Sequence, residues 1–131
     1  MPRFFSLSEA NAMLPELARL LPELQQQVAA LAQVQEQLRA VRQTIHSNGH
    51  AAQAEGLGRQ AEELETAIRA GFKQIEDWGI ELRDLGRGLV DFPHRRGGRV
   101  VYLCWLLGED EIGWWHETSS GFAGRQPIRT L

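Results

Sequence analysis

The chain has 131 residues and a formal net charge of -3, with 17 Asp and Glu against 14 Lys and Arg. That length predicts a single domain. The acidic balance argues against sequence-independent binding to nucleic acid, which depends on a large excess of Lys and Arg. The sequence has no apolar run near the roughly 18 residues that a membrane-spanning helix needs, and its first residues lack the apolar core of a signal peptide.

The chain has one cysteine and therefore cannot form an internal disulfide bond. Cys104 lies between Leu103 and Trp105, and a thiol with such neighbours is typical of a buried residue in a reducing compartment. We therefore expect a soluble protein of the cytoplasm that binds no membrane.

Local signals near the N-terminus predict where the first helix begins. Ser6 and Glu9 have the spacing of a capping box, in which a hydroxyl and a carboxylate bind free amides at a helix start. Pro15 and Pro22 each lack an amide proton and disfavour the helical conformation in the preceding residue. They predict a short entry helix, followed by a long helix that begins at about Pro15 or Pro22.

Two long apolar stripes predict a helical hairpin over about residues 6–79. The first repeats every three or four positions over residues 17–45 and resembles a coiled-coil seam. The second covers residues 57–78 and ends before Gly79, a typical helix stop. The segment 47–50, Ser-Asn-Gly-His, predicts the turn between them. A helix of about 30 residues extends roughly 45 Å, which is longer than a compact domain of this size usually holds without a partner helix. We therefore expect the two helices to form an antiparallel hairpin. We also expect this hairpin to support a homodimer or to bind a protein partner.

Residues 80–131 predict a small antiparallel sheet with a loop-like tail. One strand is expected over 89–92, where Pro93 halts it, and another over 112–117. The run 100–107 is apolar on both faces, which is typical of a central strand covered on both sides. Turns are expected at residues 94–98 and 108–111. These elements together predict an α+β fold, in which a long antiparallel helical hairpin precedes a small antiparallel β-sheet.

Five segments of the chain resemble signatures of one protein family. They are FSLSEANAMLPEL, SNGH, DLGRGLVDFP, VVYLCWLLGEDEIGWWHE and GFAGRQP. Together they make the chain similar, over its whole length, to the prokaryotic domain-of-unknown-function family twenty-two-zero-three. The resemblance implies an architecture and marks these residues as candidates, but it implies no activity. The SNGH turn departs from the family pattern, which has a second glycine before the histidine.

Histidine and carboxylate side chains near the sheet form a set that a divalent metal ion such as Zn, Mn or Fe would use. The candidate ligands are His116, Glu109, Glu117 and His50. His50 would come from the hairpin tip of a second subunit, since the tip of its own hairpin is tens of ångströms from the sheet. Their spacing matches no specific metal motif. The alternative is a solvated turn at residues 109–111, a hydrogen-bonded His116 and an exposed His50.

A second candidate site would bind an anionic small molecule. The glycine-bracketed loop 121–125 offers backbone amides and the guanidinium of Arg125, which suit a phosphate or a carboxylate. Trp115 would stack on a base or a sugar, and Asp91 completes the candidate set. The alternative is that Arg125 pairs with Asp91 or Glu117. Trp115 and the tryptophan before it point to opposite faces of a strand, so one is expected in the core and the other at an interface.

The functional signals leave two interpretations open. Cys104 and His116 could form a thiolate pair, although a thiol between apolar strand residues is more often inert packing. The sequence has no P-loop, dinucleotide glycine fingerprint or serine elbow. The long helices are the strongest signal, so the leading interpretation is a non-enzymatic homo-oligomeric interaction or assembly protein. The alternative is a metal-dependent or anion-binding enzyme with its site in the C-terminal sheet.

Overall fold

The computed structural model describes residues 3–44 and 50–131. Within these ranges the chain forms helix α1 (Leu7–Arg42), helix α2 (His50–Asp77) and an antiparallel five-stranded sheet. The predicted α+β fold, a helical hairpin followed by a sheet, is confirmed. Of the predicted turn at 47–50, only His50 lies within the described residues. No helix in the described ranges has the length and apolar character needed to cross a membrane.

The structure consists of two compact units. Among the described residues, the sheet unit contains residues 3–22 and 73–131, and the hairpin unit contains residues 23–44 and 50–72. The expectation that all 131 residues form a single domain stays a prediction.

Helix α1 begins where the sequence predicts. The Ser6 hydroxyl accepts a hydrogen bond from the Glu9 amide at 3.0 Å, and the Glu9 carboxylate accepts one from the Ser6 amide at 2.8 Å, which completes the capping box. The predicted break at Pro15 or Pro22 is wrong, because α1 continues through both prolines. Each proline removes one amide donor, but tertiary packing of the buried face outweighs that loss. The buried leucines around the prolines are Leu14, Leu17, Leu20 and Leu21.

The two helices pack closely in the hairpin unit. A Cβ atom placed on Gly71 would lie 2.5 Å from Cδ2 of Leu24, and Leu24 is fully buried. Glycine costs a helix interior up to about 1 kcal/mol relative to alanine. At Gly71 that cost allows the two helices to approach each other.

A glycine also ends α2, as predicted. Gly79 has a φ of +84°. The amides of Gly79 and Ile80 donate hydrogen bonds to the carbonyl oxygens of Glu76 at 2.9 Å and Ile75 at 3.2 Å. This pair of bonds is the Schellman arrangement, which requires a left-handed residue that glycine adopts without strain.

The five strands follow one another in space in the order of the sequence. The central strand is the one that the apolar run 100–107 predicts. A short strand in the tail was not predicted, because two residues cannot show an alternating pattern. The strands are β1 (Glu81–Asp84), β2 (Leu89–Arg96), β3 (Arg99–Leu106), β4 (Trp114–Glu117) and β5 (Gln126–Pro127).

Strand β2 continues past Pro93, so the prediction that this proline halts the strand is wrong. Pro93 pairs with Tyr102 of β3, and its carbonyl accepts a hydrogen bond from the Phe5 amide at 2.8 Å. The nitrogen and the carbonyl of one strand residue face the same side, so the missing N–H of Pro93 points away from β3 and costs no bond to it. The turn therefore covers residues 97–98 rather than 94–98.

We expect Gly88→Ala to lower the free energy of unfolding by at least about 2 kcal/mol. Gly88 has a φ of +68°, and a Cβ atom there would lie 2.4 Å from Cβ of Leu107, which cannot move without its backbone. Urea unfolding followed by circular dichroism measures the change. Gly58→Ala is the matched control, because a Cβ atom on this residue of α2 meets nothing within 4 Å. It is expected to be neutral or to stabilise by up to about 1 kcal/mol, and equal stability of the two variants would contradict this account.

Candidate metal centre

The two faces of the sheet differ in character. Residues paired across neighbouring antiparallel strands share a face, so the pairs of Leu103 with Phe92 and with Trp115 define one face. All three residues are buried. The Phe5 ring packs edge-on against Phe92, with 5.1 Å between ring centroids. This face is the apolar core of the sheet unit.

The opposite face carries three buried groups that can bind a metal ion. Asp91 of β2 lies directly opposite Cys104 of β3, and His116 of β4 lies opposite Tyr102, the next residue of β3 on the same face. One donor atom from each of Asp91, Cys104 and His116 lies within 4.8 Å of the other two. These residues are 3%, 1% and 3% exposed, respectively. We call them the Asp–Cys–His centre.

Hydrogen bonds orient the imidazole and the carboxylate of the centre. His116 Nε2 lies 3.0 Å from Asp91 Oδ1, and His116 Nδ1 lies 2.8 Å from the backbone carbonyl oxygen of Glu117. Arg83 of β1 donates from Nε to Asp91 Oδ2 at 2.9 Å. Both ring nitrogens therefore face oxygen acceptors. Both contacts are favourable together only when a proton or a metal cation lies between Nε2 and the carboxylate.

The Cys104 thiol is protonated when the centre holds no metal. Burial, together with the negative charge of Asp91, raises the pKa of Cys104 to about 12. The thiolate is the form that attacks electrophiles, so this environment argues against Cys104 as a nucleophile. Metal coordination would favour the thiolate form of Cys104, because a metal ion takes the place of the thiol proton.

A cleft of about 400 Å³ opens over the Asp–Cys–His centre. Arg83 and Arg87 supply its positive charge, and Nε of Arg87 is paired with Asp84 at 3.0 Å. Tyr102 lies against the ring of His116, with 5.5 Å between ring centroids. The remaining wall comes from the segment after β4, through Thr118, Ser120, Gly121 and Phe122.

Of the four predicted metal ligands, His116 is the one that the structure places in the centre. Glu117 follows it in β4 and faces the other way, where its carboxylate pairs with Arg99 at 2.6 Å. Glu109, in the turn after β3, pairs with an arginine of the tail at 2.8 Å. His50 lies in the hairpin unit, where its Nδ1 is 2.7 Å from a backbone carbonyl oxygen. The structure thus does not bring the carboxylates of Glu109 and Glu117 to His116.

Of the three predicted anion-binding residues, Asp91 belongs to the centre. The Arg125 side chain is 11% exposed and pairs with Glu109, rather than with either partner that the sequence suggested. Its guanidinium lies over the Trp114 ring, 4.8 Å from the ring centroid. Trp115 is 2% exposed whereas Trp114 is 37% exposed. The two tryptophans thus face opposite sides of β4 as predicted, and Trp115 belongs to the core face.

The sequence suggested Cys104 only as a thiolate partner of His116 and not as a metal ligand, and it did not suggest Arg83. A signal for Cys104 exists, because the pair Gly97-Gly98 is typical of a two-residue hairpin turn. That turn sets the register of β2 against β3 and places Asp91 opposite Cys104. The wider turn predicted over residues 94–98 does not set this register, so the sequence-based prediction did not place Asp91 opposite Cys104. Nothing in the sequence around Arg83 predicts its contact with the carboxylate.

Comparison with known proteins gives a family but no function. No curated protein and no solved structure matches the chain. A family model described as "Uncharacterized conserved protein (DUF2203)" matches residues 3–128. The matched range contains the whole sheet and all three residues of the Asp–Cys–His centre. Because the match covers nearly the full length, the protein belongs to the DUF2203 family.

Proposed function

We propose that the protein binds one Zn²⁺ ion through Asp91, Cys104 and His116. The observation that carries this proposal is the presence of three buried donor atoms within 4.8 Å of one another. Ligand atoms around a tetrahedral zinc ion are roughly 3.5 Å apart, given bond lengths of about 2.0–2.3 Å. Small side-chain movements would therefore complete the coordination, including a slight separation of His116 Nε2 from Asp91 Oδ1, which are 3.0 Å apart.

The contacts around the three ligands support a metal site. Metal-binding histidines commonly donate their second ring N–H to a carbonyl oxygen, and His116 Nδ1 lies 2.8 Å from the carbonyl oxygen of Glu117. This contact leaves Nε2 to bind the metal. Ligating carboxylates are themselves hydrogen-bonded, and Arg83 occupies Asp91 Oδ2. Asp91 Oδ1, which faces Nε2, is left as the metal-binding oxygen.

The chemistry of the donors favours zinc among the divalent metals. Thiolate and imidazole ligands suit Zn²⁺ and Fe²⁺, whereas Mg²⁺, Ca²⁺ and Mn²⁺ prefer oxygen. A free thiol ligand such as Cys104 also fits the cytoplasmic location that the single cysteine predicts.

The number of ligands favours a catalytic rather than a purely structural ion. Structural zinc sites have four protein ligands, and catalytic sites have three protein ligands and one open position. The described residues supply three, and the cleft of about 400 Å³ provides access to the fourth position. An ion of this kind supplies Lewis-acid chemistry, which activates water or polarises a carbonyl or phosphoryl oxygen.

The proposal is tested by a zinc titration of the intact protein. Chelator-treated protein is expected to bind one Zn²⁺ per chain in competition with a chromophoric chelator, and to release protons as it does so. Native mass spectrometry checks the stoichiometry. Failure to compete with a weak zinc chelator would contradict the proposal.

The second candidate function is self-association through the helices, as the sequence suggests. Val28 and Phe72, both in the hairpin unit, are each 39% exposed although both are large apolar residues. Burial of such residues between two copies would stabilise a homodimer. Sedimentation velocity over a range of concentrations distinguishes a dimer from a monomer, and a monomer at all concentrations would exclude this function.

A further inference from the structure

We infer that the cleft over the Asp–Cys–His centre binds a small organic carboxylate, and that Arg87 is the residue that recognises it. This inference rests on the proposed zinc site, because the carboxylate would be held in the same cleft into which the open metal position faces. It names the class of substrate on which the centre would act.

Arg87 is held in place at the cleft wall. Its Nε bonds Asp84 Oδ2 at 3.0 Å, and its guanidinium carbon lies 4.9 Å from the centroid of the Phe122 ring. The side chain is 53% exposed. The bond to Asp84 engages Nε, so the two terminal nitrogens remain to form the paired N–H donors that match a carboxylate. A guanidinium fixed on two sides loses little conformational freedom when a ligand binds.

Thr118 also lines the cleft and offers a further donor. Among the described residues its hydroxyl has no hydrogen-bond partner, and the residue is exposed. Ser120 nearby donates its hydroxyl proton to the carbonyl oxygen of Glu117 at 3.3 Å. Arg87 and Thr118 thus both contribute donors to the lining of the cleft.

The charge balance of the cleft favours a singly charged carboxylate over a doubly charged phosphate. The other arginine of the lining, Arg83, is engaged by Asp91 at 2.9 Å and by Glu81 at 3.2 Å. Arg87 is therefore the one lining guanidinium with a free edge. A phosphate group is usually bound by several cationic donors, and one of the two lining guanidinium groups is already paired with two carboxylates.

The apolar part of the lining sets the size of the ligand. Leu89 and the Phe122 ring face the cleft, whose volume of about 400 Å³ is near the lower end for small-molecule sites. A short carbon chain attached to the carboxylate would contact these residues. Its other end would lie over the Asp–Cys–His centre, which lines the same cleft.

Cobalt-loaded protein provides the test, because Co²⁺ in a zinc site has a visible spectrum that changes when a ligand binds nearby. Propionate is expected to change this spectrum in a saturable manner, whereas propylammonium is not. Arg87→Leu is expected to leave the spectrum without propionate unchanged and to weaken propionate binding by about 10-fold or more. Arg59→Leu is the matched control, since Arg59 is a surface arginine of the hairpin unit with a single ion pair to Glu55.

Two outcomes of the cobalt experiment would overturn the inference. Propionate binding that is equal in wild type and Arg87→Leu would show that Arg87 does not recognise the carboxylate. If methylphosphonate binds more tightly than propionate and its binding depends on Arg87, the cleft recognises a phosphate-like anion rather than a carboxylate. If no cobalt spectrum develops, the zinc proposal fails. The carboxylate inference is then decided by NMR titration of the metal-free protein with propionate, in which the absence of saturable shifts at Arg87 and Thr118 would exclude it.

Discussion

His116→Ala is expected to lower the affinity for Zn²⁺ by more than about 100-fold, because loss of a residue that only supports a metal ligand already costs about 10–100-fold. The imidazole is the one nitrogen ligand of the centre, and a water molecule in its place would lack the hydrogen bond to the Glu117 carbonyl that orients His116. Competition with a chromophoric chelator measures the affinity. Circular dichroism before the titration shows whether the variant is folded.

Two other variants control this experiment. Glu117→Gln is expected to leave the affinity unchanged, because the carboxylate of Glu117 pairs with Arg99 and the backbone carbonyl that faces His116 is retained. His50→Ala is also expected to have no effect. A loss of zinc affinity in His50→Ala as large as that in His116→Ala would contradict the three-ligand site. It would instead support a site composed of His50 from one subunit and His116 from another.

Asp91→Ala is expected to lower the free energy of unfolding of the metal-free protein by about 3 kcal/mol. The substitution leaves His116 Nε2 buried without its partner at 3.0 Å. Arg83 contributes less to the loss, since its side chain is 41% exposed and keeps its ion pair with Glu81. Urea unfolding in the presence of a chelator measures the change without a contribution from bound metal.

Asp84→Ala is the matched control for this measurement. Asp84 is an aspartate of the same cleft and also pairs with an arginine, but its side chain is 42% exposed. A solvent-exposed ion pair contributes less than about 1 kcal/mol, so the control is expected to lose no more than that. Equal losses in the two variants would show that the buried contacts of Asp91 do not stabilise the sheet.

The parts of the fold that depend on local signals were predictable from the sequence. The capping box of Ser6 and Glu9 and the glycine stop at Gly79 are satisfied by bonds within a few residues. Such bonds depend little on the remaining chain. The continuity of α1 through Pro15 and of β2 through Pro93 was not predictable in the same way. Both depend on contacts with distant residues, such as the bond from the Phe5 amide to the Pro93 carbonyl.

The candidate site was predictable only in part, for a related reason. Asp91 and His116 have side chains that commonly take part in chemistry, so both were named as candidates. Cys104 lies between apolar residues and has the sequence environment of a core residue. Its proximity to Asp91 follows from strand register, and that of His116 from the seven-residue connection between β3 and β4. A connection of that length does not fix the register from sequence alone.

A crystal structure with anomalous data on both sides of the zinc absorption edge would test the central claim most directly. The crystals should come from protein purified without chelator and supplied with Zn²⁺. We expect one strong anomalous peak bonded to Asp91 Oδ1, Cys104 Sγ and His116 Nε2, with a fourth position open to the cleft. A map without a peak at this position, in which His116 Nε2 and Asp91 Oδ1 remain in direct contact, would contradict the proposed zinc site.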